Sequence, residues 1–557
     1  MGHEGKRKNG PAGAASLFRR LQVCPGPIRG ALTQVSDAPD DLRTRARPPA
    51  GQPGRYAAPM ADQTDPNTTT PGDWPARIAH AGLLAGPLLA VLSYWVLPEH
   101  EALSDAGRLT AAIGIWMAVW WMSEAVPLPA TALLPVVLFP LSGIQDSAQT
   151  LRPYASDIIF LFMGGFVIGL GMQRWGLHTR IGLAIVRRVG TSPVRLVAGF
   201  MAATALLSMW ISNTAAAMMM LPVGLSVIGL IDDRTATADP AAASARRNFA
   251  TCLMLGIAYG ASIGGLGTLI GSPPNLILAS YARDQLGLDI TMLGWMALGV
   301  PLVVLLLPLT WLWLVRVAFP VRMDLPGPVQ ERIRQDLGRR PPMSRGERIV
   351  LVVFLLTAAG WVLRQPLSDW LALPHLTDAT IAMTGALLLF VLPVSLERRL
   401  FAMDWETAAR LPWGILLLFG GGLSLASAIS RHGVDTWLAS GFGGMAGAPA
   451  LLVLLAVTTL VIFMTELTSN TAVANTLIPV MAAVALGLGQ PPLPLILAVA
   501  LAASCAFMLP VATPPNAIVY ASGHVTIAQM VRAGLALNLL AVGVIALVIR
   551  LLLPWMS

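Results

Sequence analysis

Two tripeptides carry the chemistry of this chain. Ser212-Asn213-Thr214 stands in the middle of a long apolar stretch, and Ser469-Asn470-Thr471 repeats it 257 positions later, again between apolar arms. Hydroxyl and amide oxygens bind hard cations, while hydroxyl and amide hydrogens bind anions. Polar triplets in lipid-facing sequence cost free energy unless they are hydrogen-bonded or line a cavity. An identical pair therefore points to a doubled site.

A second pair of motifs follows the first. Gly271-Ser272-Pro273-Pro274-Asn275 matches Ala512-Thr513-Pro514-Pro515-Asn516 at an offset of 241. Consecutive prolines remove two backbone donors and break a helix. The break frees carbonyls suited to a cation and opens a new helix whose N-terminus suits an anion. No Arg or Lys lies in either tripeptide or either break. A bound dianion would thus have its charge offset by co-bound cations, with hydroxyls and amides making the direct contacts. Asn213 and Asn470 can each turn a carbonyl to the cation and an amide to the anion.

The elements that position these motifs are apolar helices. The 557 residues are 55% hydrophobic and only 12% charged, well below the quarter usual in soluble chains. Many apolar runs approach the ~20 residues that cross a bilayer as helix. Spans are expected at about 79–97, 107–123, 127–143, 157–174, 249–267, 293–318, 347–364, 379–394, 413–430, 494–509 and 530–554. Regions 192–230 and 449–487 each hold a tripeptide between arms too short for a full crossing, so each reads as a re-entrant hairpin. The 257 offset also aligns Phe162-Met-Gly164-Gly165 with Phe419-Gly-Gly421-Gly422, and Ser208 with Thr465. The polar 231–248 loop accounts for the change of offset to 241. The expectation is an all-α polytopic membrane protein. It has about eleven transmembrane helices plus two re-entrant hairpins, in two inverted-topology repeats at about 107–320 and 347–554, a transporter body spanning 78–554. Discontinuous helices at matching places in inverted halves mark a secondary transporter's binding site.

Residues 1–75 are rich in Pro, Gly, Ala and Arg and read as a disordered extension, with Met60 as an alternative start. Residues 1–59 hold most of the formal charge of +8. This basic tail lacks aromatic interleaving and is not read as binding nucleic acid. Arginine placement puts the 319–348 connection, Arg174, Arg180 and Arg398-Arg399 on the cytoplasmic side. It puts the N-terminus inside, the acidic 98–106 loop and the C-terminus outside, and the protein in the inner (plasma) membrane. Cys24, Cys252 and Cys505 have no metal-ligand spacing. No nucleophile–base set appears in the spans, so an enzyme is not expected. Glu466 beside the second tripeptide reads either as a proton or cation relay or as half of a salt bridge within its hairpin. Glu124 and Asp157 read as interfacial.

Taken together the two tripeptides and the two Pro-Pro motifs resemble the divalent anion/sodium symporter family, which carries dicarboxylates, citrate or sulfate. The resemblance covers about residues 78–554. It implies one sodium held by Ser208, Ser212, Asn213 and the Gly271 carbonyl, and a second held by Thr465, Thr468, Asn470 and the Ala512 carbonyl. It implies substrate carboxylates at Asn213, Thr214, Asn470 and Thr471, with Ser272, Thr513 and Pro514 lining the other side. It also implies a homodimer, Na+ as coupling ion and no organic cofactor. Thr468 stands where the first half has Ile211, so the two cation sites are not expected to be alike. The function expected is sodium-coupled symport of small divalent anions by alternating access, foremost C4-dicarboxylates such as succinate, fumarate and malate. The alternatives are a sulfate, oxyanion or citrate transporter, or a proton-coupled or exchange version, on the same scaffold.

Overall fold

The computed structural model describes residues 74–97, 103–235, 240–338, 341–443 and 447–553. The N-terminal extension, Met60 and Cys24 lie outside the described residues. The described chain is almost wholly helical, apart from a two-stranded hairpin pairing Pro393–Ser395 with Leu400–Phe401. Among the described residues eight helices are long and apolar enough to cross a membrane, or nine if the pair Arg345–Val362 and Arg364–Trp370, bent by 81°, counts as one span.

The helices fall close to the expected spans, and the differences have local causes. Prolines divide the 127–143 region into Leu128–Thr131 and Leu134–Leu141. The expected 494–509 span ends at Ala503, because residues 504–513 unwind ahead of Pro514-Pro515. Most of the expected 231–248 loop is helix, since one helix runs on to Thr235 and the next starts at Pro240. Proline suits that first helical position, where its missing N–H would have no partner.

One large apolar core runs through both halves. Its axis is helix Pro240–Gly264, which is buried at every residue from Phe249 onward, with Pro492–Ala503 buried from Leu495. Apolar side chains also cover the outside, among them Leu84, Leu88, Val91 and Trp95 of the first helix. A lipid-facing helix shows this pattern of apolar exposure.

Helix Asp157–Arg174 is about 27 Å long at 1.5 Å per residue. Ion pairs gather at both its ends. At one end Arg174 pairs with Asp404 at 2.5 Å, and nearby Arg180 pairs with Glu347 at 2.8 Å. Asp404 caps the short helix Trp405–Ala408. The Thr407 N–H, helped by Arg174, holds its carboxyl below the usual carboxylate range. At the other end Asp157 pairs with Arg283 at 2.5 Å. Arg364 there lies 3.3 Å from Asp289 and 3.6 Å from Asp378.

Candidate functional site

Each tripeptide sits where one helix stops and the next starts. Helix Pro193–Ser208 ends just before the first, and Asn213 opens the helix that runs to Thr235. Helix Ala450–Thr465 ends before the second, and Asn470 opens the helix to Gly487. Ser212 starts its helix from both ends of the residue. Its carbonyl accepts from Ala216 N at 3.0 Å and its Oγ from Ala215 N at 3.3 Å. Ser469 starts its helix through its carbonyl alone, which accepts from Val473 N at 2.9 Å. Both asparagines therefore stand at helix N-termini, where free N–H groups and the helix dipole favour an anion.

The contacts of Ser208 with Asn213 match those of Thr465 with Asn470. Ser208 Oγ lies 2.6 Å from Asn213 Oδ1 and 2.7 Å from the Ala261 carbonyl. Thr465 Oγ1 lies 2.6 Å from Asn470 Oδ1 and 2.9 Å from the Ala503 carbonyl. Each pair places two side-chain oxygens together, with a main-chain carbonyl beside the hydroxyl. Gly265 has no room for a side chain because Asn213 fills it. A methyl there would lie 2.6 Å from Asn213 Oδ1 and 3.1 Å from the Gly271 carbonyl. The Gly271 carbonyl thus reaches the same spot as the first tip.

The two breaks also match. Asn275 Nδ2 donates to the Gly265 and Thr268 carbonyls at 2.9 and 2.8 Å. Asn516 Nδ2 donates to the Ala506 and Leu509 carbonyls at 3.1 and 3.0 Å. The Oδ1 atom of each is buried and accepts no hydrogen bond among the described residues. Buried acceptors of this kind are normally satisfied, and a hard cation takes such oxygens. The Pro-Pro-Asn spacing was the sequence signal for these two asparagines, which the expected ligand sets omit.

The halves cross over at the site. Helix Pro273–Leu286, after the first break, packs on Asn470–Gly487 and Pro492–Ala503 of the second half. Helix Pro514–Ala521, after the second break, packs on Asn213–Thr235 and Pro240–Gly264 of the first. Ser272 Oγ and Ser504 Oγ, 2.9 Å apart, join the two breaks. Ser504 is a contact that sequence reading missed, since the first half offers only Ile263 at that register.

The other expected site residues are distributed as follows. Ser212, Thr214, Thr468 and Thr471 are half-buried at the tips. Thr468 Oγ1 donates back to the Met464 carbonyl at 3.0 Å, where its counterpart Ile211 is buried and apolar. Ala512 and Thr513 are buried at the end of the second break, and Thr513 Oγ1 accepts from Asn516 N at 3.3 Å. Pro514 is exposed.

Glu466, expected as a relay or as half of a salt bridge, forms no salt bridge among the described residues. Its Oε1 accepts from Phe507 N, Met508 N and Asn538 Nδ2 at 2.7, 2.8 and 2.7 Å, and its Oε2 from Leu509 N at 3.0 Å. The carboxylate thus clamps the unwound stretch of the second break. The first half holds its break differently. Thr268 Oγ1 donates to the Met209 carbonyl, and Trp295 Nε1 to the Leu266 carbonyl at 2.9 Å. Asp157, expected to be interfacial, is paired with Arg283.

An apolar helical body whose broken helices carry paired oxygen-rich tips defines a membrane transporter rather than an enzyme. The fold is similar to that of the YdaH transporter of Alcanivorax borkumensis, with a TM-score of 0.52 at 14% identity over 86% of this chain and 98% of that one. Residues 79–557 match the model of the sodium:sulfate symporter transmembrane region, and the chain belongs to that family. It is 43% identical over 477 residues to the sodium-dependent dicarboxylate transporter SdcS of Staphylococcus saprophyticus, covering 85% of this chain and 91% of that relative. The SdcS of Staphylococcus aureus strain USA300 is 42% identical over 479 residues, with the same coverage.

Proposed function

We propose that this chain is a sodium-coupled symporter of small dicarboxylates, foremost succinate, fumarate and malate. The observation that carries the reading is the doubled tip, Ser208 with Asn213 and Thr465 with Asn470, in a chain similar to sodium-dependent dicarboxylate transporters. One sodium is held by Ser208, Ser212, Asn213 and the Gly271 carbonyl. The second is held by Thr465, Thr468, Asn470 and the Ala512 carbonyl. The two cations supply the positive charge that the tips lack, and the dianion then binds Asn213, Thr214, Asn470 and Thr471 across from Ser272, Thr513 and Pro514. Coupling follows from charge: without sodium the anion meets a site with no cation in it.

The body is read as two inverted repeats, about 107–320 and 347–554, with eleven crossings, two re-entrant hairpins and alternating access. Contact between Phe162 and Phe419, rings 4.8 Å apart, supports this. They are equivalent positions of the two repeats, and equivalent residues meet each other where a twofold axis passes. The Arg174 end of the body is taken as cytoplasmic, the Asp157 end as external, and the assembly as a homodimer in the plasma membrane. Deleting residues 1–59 is expected to leave uptake unchanged; lost uptake would make that extension part of the transporter.

The test is uptake of labelled succinate into proteoliposomes with an inward sodium gradient, and with choline in its place. The expected result is uptake that needs sodium and is competed by fumarate and malate but not by sulfate. Uptake unchanged in choline would overturn the coupling. Sodium-driven uptake of sulfate in place of succinate would overturn the substrate and leave the site.

A further inference from the structure

Away from the tips, a cavity of about 460 Å³ opens at the Asp157 end of the body. Its walls bring together three arginines from separate elements. Arg152 lies in the turn before helix Asp157–Arg174, Arg283 in the last turn of Pro273–Leu286, and Arg431 ends Trp413–Arg431. Two carboxylates, Asp157 and Asp284, also line it, and both are engaged by Arg283, at 2.5 and 3.3 Å. Arg152 and Arg431 are exposed and make no ion pair among the described residues. Gln149, Ser156, Gln285 and Ser427 add neutral hydrogen-bonding groups. The cavity therefore offers two uncommitted guanidiniums and a third whose partner can be exchanged.

We infer that this cavity is a vestibule that collects small dicarboxylates and delivers them toward the transport site; the inference rests on the chain carrying such anions. Asp157 and Arg283 also line a second cavity, of about 160 Å³, which reaches Leu269 in the first break. Their ion pair thus stands in the wall common to both cavities. Helix Pro273–Leu286 carries Arg283 in its last turn and follows directly on Gly271 and Ser272. A carboxylate held by Arg152 and Arg431 competes with Asp157 for Arg283, whose planar fork can grip either oxygen pair. Exchange of that partner opens the wall. Positive charge in a cleft also raises the local concentration of an anion, and this effect falls with ionic strength.

The test uses the full-length chain in proteoliposomes with Cys24→Ser and Ser427→Cys; Cys252 and Cys505 are buried. Labelling of the new thiol by an anionic sulfonatoethyl methanethiosulfonate is compared with labelling by its cationic trimethylammonium analogue. The anionic reagent is expected to react about tenfold faster than the cationic one. Arg152→Gln with Arg431→Gln abolishes that preference, and excess succinate slows labelling even in sodium-free buffer, where the transport site is not formed. Equal rates for the two reagents, or no protection by succinate, would overturn the vestibule. Uptake kinetics give a second readout. The double glutamine variant raises the succinate KM about fivefold to tenfold and loses its dependence on ionic strength, while the double lysine variant keeps both near those of the unaltered chain. A KM unchanged by the glutamines sinks the proposal. Sodium-driven succinate uptake by the unaltered chain reports separately on the transport reading.

Discussion

Asn213→Ala and Asn470→Ala each lower sodium-driven succinate uptake at least about a hundredfold while the protein stays folded. Each substitution removes an oxygen from a proposed cation site and an amide donor from the proposed anion site. A hydrogen bond to a charged group contributes about 1.5–3 kcal/mol. Losing two such contacts approaches or exceeds 3 kcal/mol, and 1.4 kcal/mol is tenfold. Folding survives because neither hydroxyl is orphaned. Ser208 Oγ keeps the Ala261 carbonyl as acceptor, and Thr465 Oγ1 keeps that of Ala503. The helix starts also survive, since they rest on the Ser212 and Ser469 carbonyls. Asn213→Asp separates the two roles. It keeps an oxygen toward the sodium but replaces the donor with a like charge for the dianion. The succinate KM should rise steeply while the half-saturating sodium concentration does not. Uptake by both alanine variants within twofold of the unaltered chain would remove the site assignment.

How much of this was readable in advance depends on where each signal lives. The tips were legible because Ser, Asn and Thr stand out against apolar neighbours and recur at a fixed offset. The breaks were legible because Pro-Pro has one local consequence, a lost helix, wherever it falls. Most helix positions followed from hydropathy, but not the early start of helix Pro240–Gly264 or the unwinding of 504–513, which starts well upstream of the prolines that cause it. Ser504, Asn538 and the Asp157–Arg283 pair were not legible. Their partners are far away in sequence, and a single Ser or Asn in an apolar run has no spacing to betray it. The neutral Asn275 and Asn516 were visible as motif members, yet only the fold shows that each amide is used up on carbonyls while its oxygen is left bare.

Glu466 gives the second large effect, and it separates a clamp from a relay. Glu466→Ala strips acceptors from the N–H groups of Phe507, Met508 and Leu509 and from the Asn538 amide. Leaving a buried donor unsatisfied costs about 1–3 kcal/mol, so the alanine variant loses several kcal/mol and is expected to be lost from the membrane. Glu466→Gln is the informative change, because it keeps size while removing the charge and replacing one acceptor oxygen with an NH2 donor. Its NH2 would face either the Leu509 N–H or the cluster of three donors at the other oxygen, and donor against donor cannot pair. The stretch that leads to the Ala512 carbonyl then shifts. Loss of a partner that orients metal ligands typically costs 10–100-fold in affinity, so the half-saturating sodium concentration should rise at least about tenfold. Asn538→Ala should move it in the same direction by less, since it removes one of four bonds. A relay makes a different forecast: Glu466→Gln would flatten the pH dependence of uptake at saturating sodium, and Asn538→Ala would leave sodium affinity alone. Wild-type sodium dependence in Glu466→Gln would sink the clamp, because the second site would then be shown to form without it.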